Sequence, residues 1–259
     1  MKPLAQLDAR AITAVLVDID DTLTTEGKLT AEAFSALERL SAAGKRVVPV
    51  TGRPAGWCDH IARMWPVDAV VGENGAFYFC FADGKLHKRF QEDADTRREK
   101  RSRLAGIAAR ILAAVPGCAI AADQAYRETD LAIDYCEDVA PLPLEAAERI
   151  AGLMREGGLT ARISSIHVNG WFGDYDKLAM TKVLFAERFG IDLSRASRTV
   201  VFAGDSPNDA PMFRFFDNSV GVANLRRFQR LLTDMPKYLT NAACGAGFAE
   251  LARHLLQGR

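Results

Sequence analysis

No two cysteines of this chain stand in a C-x-x-C spacing, and its five cysteines (Cys58, Cys80, Cys118, Cys136, Cys244) are scattered and odd in number. That argues against a disulfide framework and a cysteine-built zinc site, and reads as small buried hydrophobes in a reducing, cytoplasmic setting. The four histidines are equally dispersed. No apolar run approaches the roughly 18 residues of a membrane span, and MKPLAQLDARAIT at the N-terminus lacks the apolar stretch of a signal peptide. Neither sign of charge dominates: 33 basic residues face 33 acidic ones, for a formal net charge of zero. No global field therefore recruits nucleic acid or an anionic membrane. The expected partner is a small molecule, with the protein a monomer or a homodimer.

What remains is ordinary globular material, 259 residues that are 49% hydrophobic and 25% charged, enough for one large domain or two modest ones. The first third alternates strand and helix patterns. ITAVLV (12–17) is a continuous β-branched run of the kind buried on both faces of a parallel sheet. Thr30 caps a helix carrying Ala33, Phe34, Leu37 and Leu40 on one face, and Gly44 ends it. KRVVPV (45–50) is a second strand, Pro54 starts a second helix, and DAVV (68–71) is a third strand, which makes βαβ units. The middle differs. A hairpin over 77–90 turns at Asp83-Gly84, a charged helix spans about 93–113, apolar pieces follow at 118–122 and 131–136, a helix lies around 143–156, and 159–168 reads as one further apolar piece. After Gly173 the parallel pattern resumes, with a helix near 176–189, strands at 199–204 and 219–223, and a last helix near 246–257. The spacing predicts an α/β fold: a Rossmann-like, doubly wound parallel core from residues 1–80 and 171–259, with an α+β cap over 81–170 inserted in it.

The run AVLVDIDDTLT (14–24) is the anomaly. A buried strand has no structural need for Asp18, Asp20 and Asp21 crowded at its tip. Other strands also end in reactive chemistry: Thr51-Gly52-Arg53 after the second, and Gly204-Asp205-Ser206-Pro207-Asn208-Asp209 after a later one, with Lys177 opening the helix between. Ligands of open parallel sheets bind at these carboxyl ends, and several carboxylates converging there suit a hard divalent cation, Mg²⁺ foremost.

The motifs DIDDTL (18–23), VTGRP (50–54), Lys177 in GDYDKLAM and GDSPND (204–209), in this order, resemble those of the haloacid dehalogenase superfamily of phosphohydrolases. The position of the insert, and VGENGAFYF (71–79) leading into it, resemble the type II, subclass B caps of subfamily IIB. That branch includes sucrose- and trehalose-phosphate phosphatases, Cof-type hydrolases and the eukaryotic type of phosphomannomutase. The resemblance implies a phosphatase acting on a small phosphorylated metabolite, such as a sugar phosphate, through an aspartyl phosphate. It makes Asp18 the nucleophile and Asp20 the general acid and base. The Asp18 side chain, the Asp20 backbone carbonyl and Asp205 would hold Mg²⁺. Thr51, Gly52 and Asn208 would bind the phosphoryl group, Lys177 would neutralise it, and Asp209 would orient Lys177 or a metal-bound water. Asn74 is the candidate substrate contact at the cap crossing. Arg53 reads equally as a substrate contact or a surface salt bridge. The family usually has glycine where Asp21 and Leu178 stand here. Asp21 therefore reads as turn support, and Lys182 on the same helix becomes a rival to Lys177.

Blander readings hold elsewhere. KRFQEDADTRREKRSR (88–103) mixes both signs and reads as a solvated helix. Trp171 and Phe172 read as hinge packing, and His167 as a buried or hydrogen-bonded histidine. Among rival functions, a phosphotransferase or mutase would share the same intermediate. A receiver-like phosphoacceptor would have no use for the inserted cap or for Asp20, and a degenerate sugar-phosphate-binding protein would have no reason to keep the crowded carboxylates.

Overall fold

The computed structural model describes residues 1–257, so the last two positions of the core range expected to end at 259 lie outside the described residues. The principal elements in chain order are β1 (Ala14–Val17), α1 (Ala31–Ala42), β2 (Arg46–Pro49), α2 (Ala55–Met64), β3 (Val70–Gly72), β4 (Phe77–Ala82), β5 (Lys85–Phe90) and α3 (Ala94–Ala114). They continue as β6 (Ala119–Ile120), β7 (Leu131–Asp134), α4 (Leu144–Glu156), β8 (Thr160–Ile163), β9 (His167–Trp171) and α5 (Lys177–Phe189). The last are β10 (Val200–Gly204), α6 (Ala210–Phe215), β11 (Asn218–Gly221), β12 (Tyr238–Leu239) and α7 (Cys244–Gln257).

The central sheet is parallel, in the order β12, β11, β10, β1, β2, with Lys2–Pro3 along the outer edge of β12. Alternation along each strand sends side chains to opposite faces. Val15 and Val17 join Val47, Val201, Ala203 and Val220 against α1 and α7, while Ala14, Leu16, Val48, Val200 and Phe202 pack against α5 and α6. Burial on both faces is why these strands read as unbroken aliphatic runs, and each such side chain contributes about 1.5–3 kcal/mol. Thr30 Oγ1 accepts from the Ala33 amide to start α1, and Asp176 accepts from the Ala179 amide to start α5. The second cap matters for chemistry, because it makes Lys177 the first residue of its helix.

Two smaller sheets depart from the linear reading. The hairpin β4/β5 continues β3 in an antiparallel three-stranded sheet, and a parallel bridge between Val50 and Val71 ties that sheet to the central one. Asp83 and Gly84 both have positive φ (53° and 70°), as a tight hairpin turn of this hand requires. Phe77 and Phe79 stack at 4.3 Å beneath it, and residue 81 falls inside β4. The stretch 159–168 is two strands, not one: β8 and β9 pair antiparallel around Ser164–Ser165–Ile166. Ser164 Oγ accepts from the His167 amide at 3.0 Å and closes a turn that the apolar pattern conceals.

That hairpin belongs to a four-stranded antiparallel sheet in the order β8, β9, β7, β6. One face packs Ile133, Val168 and Ala161 against Leu104, Ile107 and Ile111 of α3 and Ile150 and Met154 of α4. The other face turns His167 and Asn169 toward the ends of the central strands.

Candidate active site

Three chain reversals at the carboxyl ends of adjacent strands build the site. Asp18 follows β1 directly, and its amide donates to Ala203 O at 2.9 Å, which locks it beside β10. Asp205 follows β10, and the capping box of Ser206 and Asp209 shapes the next turn. Asp209 Oδ2 accepts from the amides of Asp205 (3.1 Å) and Ser206 (3.3 Å) and so points back at the strand ends. Lys177, 1% exposed, bridges Asp18 Oδ1 and Asp209 Oδ1, each at 2.7 Å. Burial works against its ammonium, and the two carboxylates outweigh that and raise its pKa above the ordinary lysine value.

Carboxylate oxygens of Asp18, Asp205 and Asp209 lie within 4.8 Å of one another, all buried. Three acids against one lysine leave two negative charges. Among the described residues Asp205 has only neutral hydrogen-bond partners, Thr22 Oγ1 at 3.4 Å and Asn224 Nδ2 at 3.2 Å. Burial, then the charges of Asp18 and Asp209, push its carboxyl well above the usual range. Burial likewise pushes Asp18 up to about 8 although Lys177 pulls it down. An all-oxygen set with two surplus negative charges fits a hard divalent cation. The carboxylate of Asp20 is outside this set; its backbone carbonyl lies 3.5 Å from Ser165 Oγ.

The other residues singled out in the sequence gather around the cluster. Gly52, Arg53 and Asn208 share a wall with Asp18 and Asp20. Thr51 is fully buried, and its Oγ1 accepts from the Arg53 amide at 3.0 Å. Asn74 adopts a left-handed backbone (φ 53°), and its Oδ1 accepts from Asn208 Nδ2 at 3.2 Å while its Nδ2 is buried without a partner. A Cβ on Gly52 would come within 3.2 Å of that Nδ2, a tight contact in which the amide would have to give. Asp21 supports the turn: its φ is 55°, its amide donates to Thr24 Oγ1, and its carbonyl accepts from Asn224 Nδ2. Lys182 lies over the Phe215 ring, 4.3 Å from its centroid.

Arg53 corrects one expectation. It makes no surface salt bridge: it is 3% exposed, and its guanidinium pairs with Asp20 (2.7 Å), Asp123 (3.3 Å) and Glu137 (2.5 Å). Burial of a guanidinium demands such partners.

Residues 15–96 match the family of haloacid dehalogenase-like hydrolases. The match spans the first third of the chain, including Asp18, Asp20, Thr51 and Arg53. Among curated proteins no sequence matches it. Several solved structures share the fold of this chain. A HAD/COF-like hydrolase from Plasmodium vivax is 17% identical at a TM-score of 0.71, covering 98% of each chain. The C-terminal domain of the trehalose-6-phosphate phosphatase of C. albicans is 14% identical at a TM-score of 0.71, over 99% of this chain and 98% of the other. The sucrose-phosphatase of Synechocystis, solved with sucrose and phosphate, is 15% identical at a TM-score of 0.62, over 95% and 98%. Among the described residues no helix is long and apolar enough to cross a membrane.

Several further residues shape the site. Glu73 is buried with φ 42° and accepts from the Ala55 amide (3.0 Å), which opens α2, and from the amides of Glu128 (2.9 Å) and Thr129 (2.7 Å) in the overlying layer. Arg127 reaches across in the opposite sense, donating to Gly52 O at 2.9 Å while pairing with Asp123 and Asp130. Asn169 donates to Asp130 Oδ2 at 2.8 Å. His167 Nε2 lies 2.8 Å from Glu137 Oε2, close but outside hydrogen-bond alignment. Trp171 is fully buried and stacks on Tyr175 at the return crossing. Glu73 has a foothold in the sequence as part of the VGENGAFYF segment, Trp171 reads there as packing and His167 as a buried or hydrogen-bonded residue, while Arg127 and Asn169 carry no signal.

Proposed function

We propose that this protein is a Mg²⁺-dependent phosphatase that cleaves a small phosphorylated metabolite, a sugar phosphate in particular, through an aspartyl phosphate on Asp18. The observation that carries the reading is the Asp18–Lys177–Asp209 bridge beside an Asp205 that has no cationic partner among the described residues. Trehalose- and sucrose-phosphate phosphatases among the proteins of like fold point to the substrate class.

In this reading Lys177 holds Asp18 Oδ1 and fixes the carboxylate for in-line attack on phosphorus. The nucleophile–phosphorus bond forms as the leaving oxygen departs with a proton from Asp20. Asp20 then takes a proton from the water that hydrolyses the acyl phosphate, releasing inorganic phosphate and regenerating Asp18. Gly52, Thr51 and Asn208 surround the transferring group, with Asn74 fixed against Asn208. The side chains of Asp18 and Asp205, with the Asp20 carbonyl, would hold the cation, and Asp209 would keep Lys177 in place. Bound there, Mg²⁺ supplies the positive charge that lets an anionic carboxylate meet a phosphate dianion. Residues 81–170 act as a cap that excludes bulk water and selects the leaving group. A cytoplasmic setting suits the free thiols.

The test is release of inorganic phosphate from a panel of phosphorylated sugars and other metabolites, with Mg²⁺ or EDTA, for the wild type and Asp18→Asn. Metal-dependent release that Asp18→Asn abolishes supports the reading. Release that survives Asp18→Asn refutes it.

A further inference from the structure

The space directly over Asp18 is closed. Asp18, Asp20, Gly52 and Arg53 line it from the strand ends, and His167 and Asn169 from the overlying sheet. It measures about 10 Å³, no more than roughly one water-sized probe. A tetrahedral phosphoryl group does not fit, so this conformation shuts substrate out.

The contact that closes it is specific. The Nε edge of Arg53 is taken by Asp20, at 2.9 Å and 3.0 Å to the two carboxylate oxygens. Its Nη edge is held by Glu137, with Nη2–Oε1 2.5 Å and Nη1–Oε2 3.3 Å, and Asp123 Oδ2 also lies 3.3 Å from Nη1. Glu137 is presented by a turn that Asp134 ties down, accepting from the amides of Cys136 (2.9 Å), Glu137 (2.7 Å) and Asp138 (2.8 Å). Behind the pair lies a cavity of about 200 Å³ lined in part by Asp20, Arg53, Glu137, Ser165 and Arg227. Room for a small leaving group therefore exists beyond Glu137, while the approach to Asp18 does not.

We propose that Glu137 is a latch that competes with substrate for Arg53: it holds the overlying layer on the strand ends, and it must leave the guanidinium before a phosphorylated ligand can enter. Arg53 Nη2 then has Glu137 when the site is shut and the anionic ligand when it is filled, with Asp123 beside it on Nη1. Asp20 keeps its hold on the other edge throughout, so the acid–base carboxylate stays aimed while the layers part. Only the unlatched fraction binds ligand, and the apparent affinity falls by that fraction. Substrate affinity here is set partly by a residue that does not touch substrate.

The proposal builds on the phosphatase reading for its kinetic arm only. Glu137→Gln keeps the shape of the side chain and removes its charge. The expected result is a KM about tenfold lower, with kcat within about twofold of wild type. The second readout needs no activity: amide hydrogen exchange at Glu128 and Thr129 without ligand, since both amides donate across the layers to Glu73. Exchange there should speed up several-fold in Glu137→Gln while the amides of β1 stay protected, which also shows that the variant is folded. A raised KM with unchanged exchange would make Glu137 a substrate contact and overturn the latch, as would unchanged exchange alone. If neither protein releases phosphate, the phosphatase reading fails, and the exchange result still decides the latch.

Discussion

Two clusters of buried charge lie side by side in this protein and are built on opposite terms. At the strand ends, Lys177 bridges Asp18 and Asp209, and Asp205 beside them is paired with no cation among the described residues. At the seam between the layers, every aspartate has a guanidinium: Asp20 on Arg53, Asp123 on Arg53 and Arg127, Asp130 on Arg127. One carboxyl group from each cluster shows the contrast. Burial pushes Asp18 up to about 8 despite Lys177, whereas at Glu137 burial is outweighed by His167 and Arg53, which hold it at about 2. A buried ion pair contributes little net stability yet is costly to break by halves. The seam is therefore a fastening, complete without any ligand. The strand-end cluster is incomplete, and that incompleteness suits a metal and a phosphoryl group.

The largest effect that sharpens this contrast is on chemistry. Asp18→Asn should lower phosphate release by at least about a thousandfold while leaving the fold intact, since it removes the attacking carboxylate. A loss of less than tenfold would place the nucleophile elsewhere. Next comes Lys177→Met, which leaves Asp18 and Asp209 buried without their shared cation. The urea midpoint should fall by the equivalent of about 3 kcal/mol, and a cost near zero would mean that the lysine is not what holds the carboxylates together. Third, Mg²⁺ should raise the melting temperature, because an ion bound only by the folded chain stabilises it, by about 2.7 kcal/mol at a hundred times its Kd. Asp205→Asn should abolish that shift, and a shift that survives it would move the cation to another site.

The smallest effect concerns pH at the seam. Burial, then the charge of Asp130, raises Glu73 to about 7 from an ordinary 4.5 although Arg127 opposes it. Between those values the folded chain keeps a proton that the unfolded chain has lost. The contribution of Glu73 to stability is thus full below pH 4.5 and is lost as pH rises through about 7. Relative to Glu73→Gln, wild type should lose on the order of 2 kcal/mol across that window. Parallel pH profiles for the two proteins would show that Glu73 is already ionised throughout.

The same contrast decides what could be read in advance. Asp18, Asp205 and Lys177 were legible because each breaks a strong local pattern, a charge at the tip of a buried strand or the first turn of a helix. The parallel sheet was legible for a related reason, since burial on both faces leaves aliphatic runs such as AVLV. The seam left no such trace. Arg53 and Glu137 lie 84 residues apart, Glu73 and Thr129 are 56 apart, and each is a lone charge with no period to betray it. Asn224, which holds both Asp205 and the Asp21 carbonyl, sits in an irregular turn after β11. The break between β8 and β9 was hidden because a serine turn replaced the glycine or proline that usually marks one.

The measurement closest to the central claim is to mix enzyme, Mg²⁺ and an active sugar phosphate, quench in acid within a single turnover, and locate the phosphoryl group by peptide mass spectrometry. The account predicts an acid-stable phosphoryl mark on Asp18, in the peptide carrying DIDDTL, absent with EDTA. Phosphate released with no mark on Asp18, or with the mark on another residue, would contradict it.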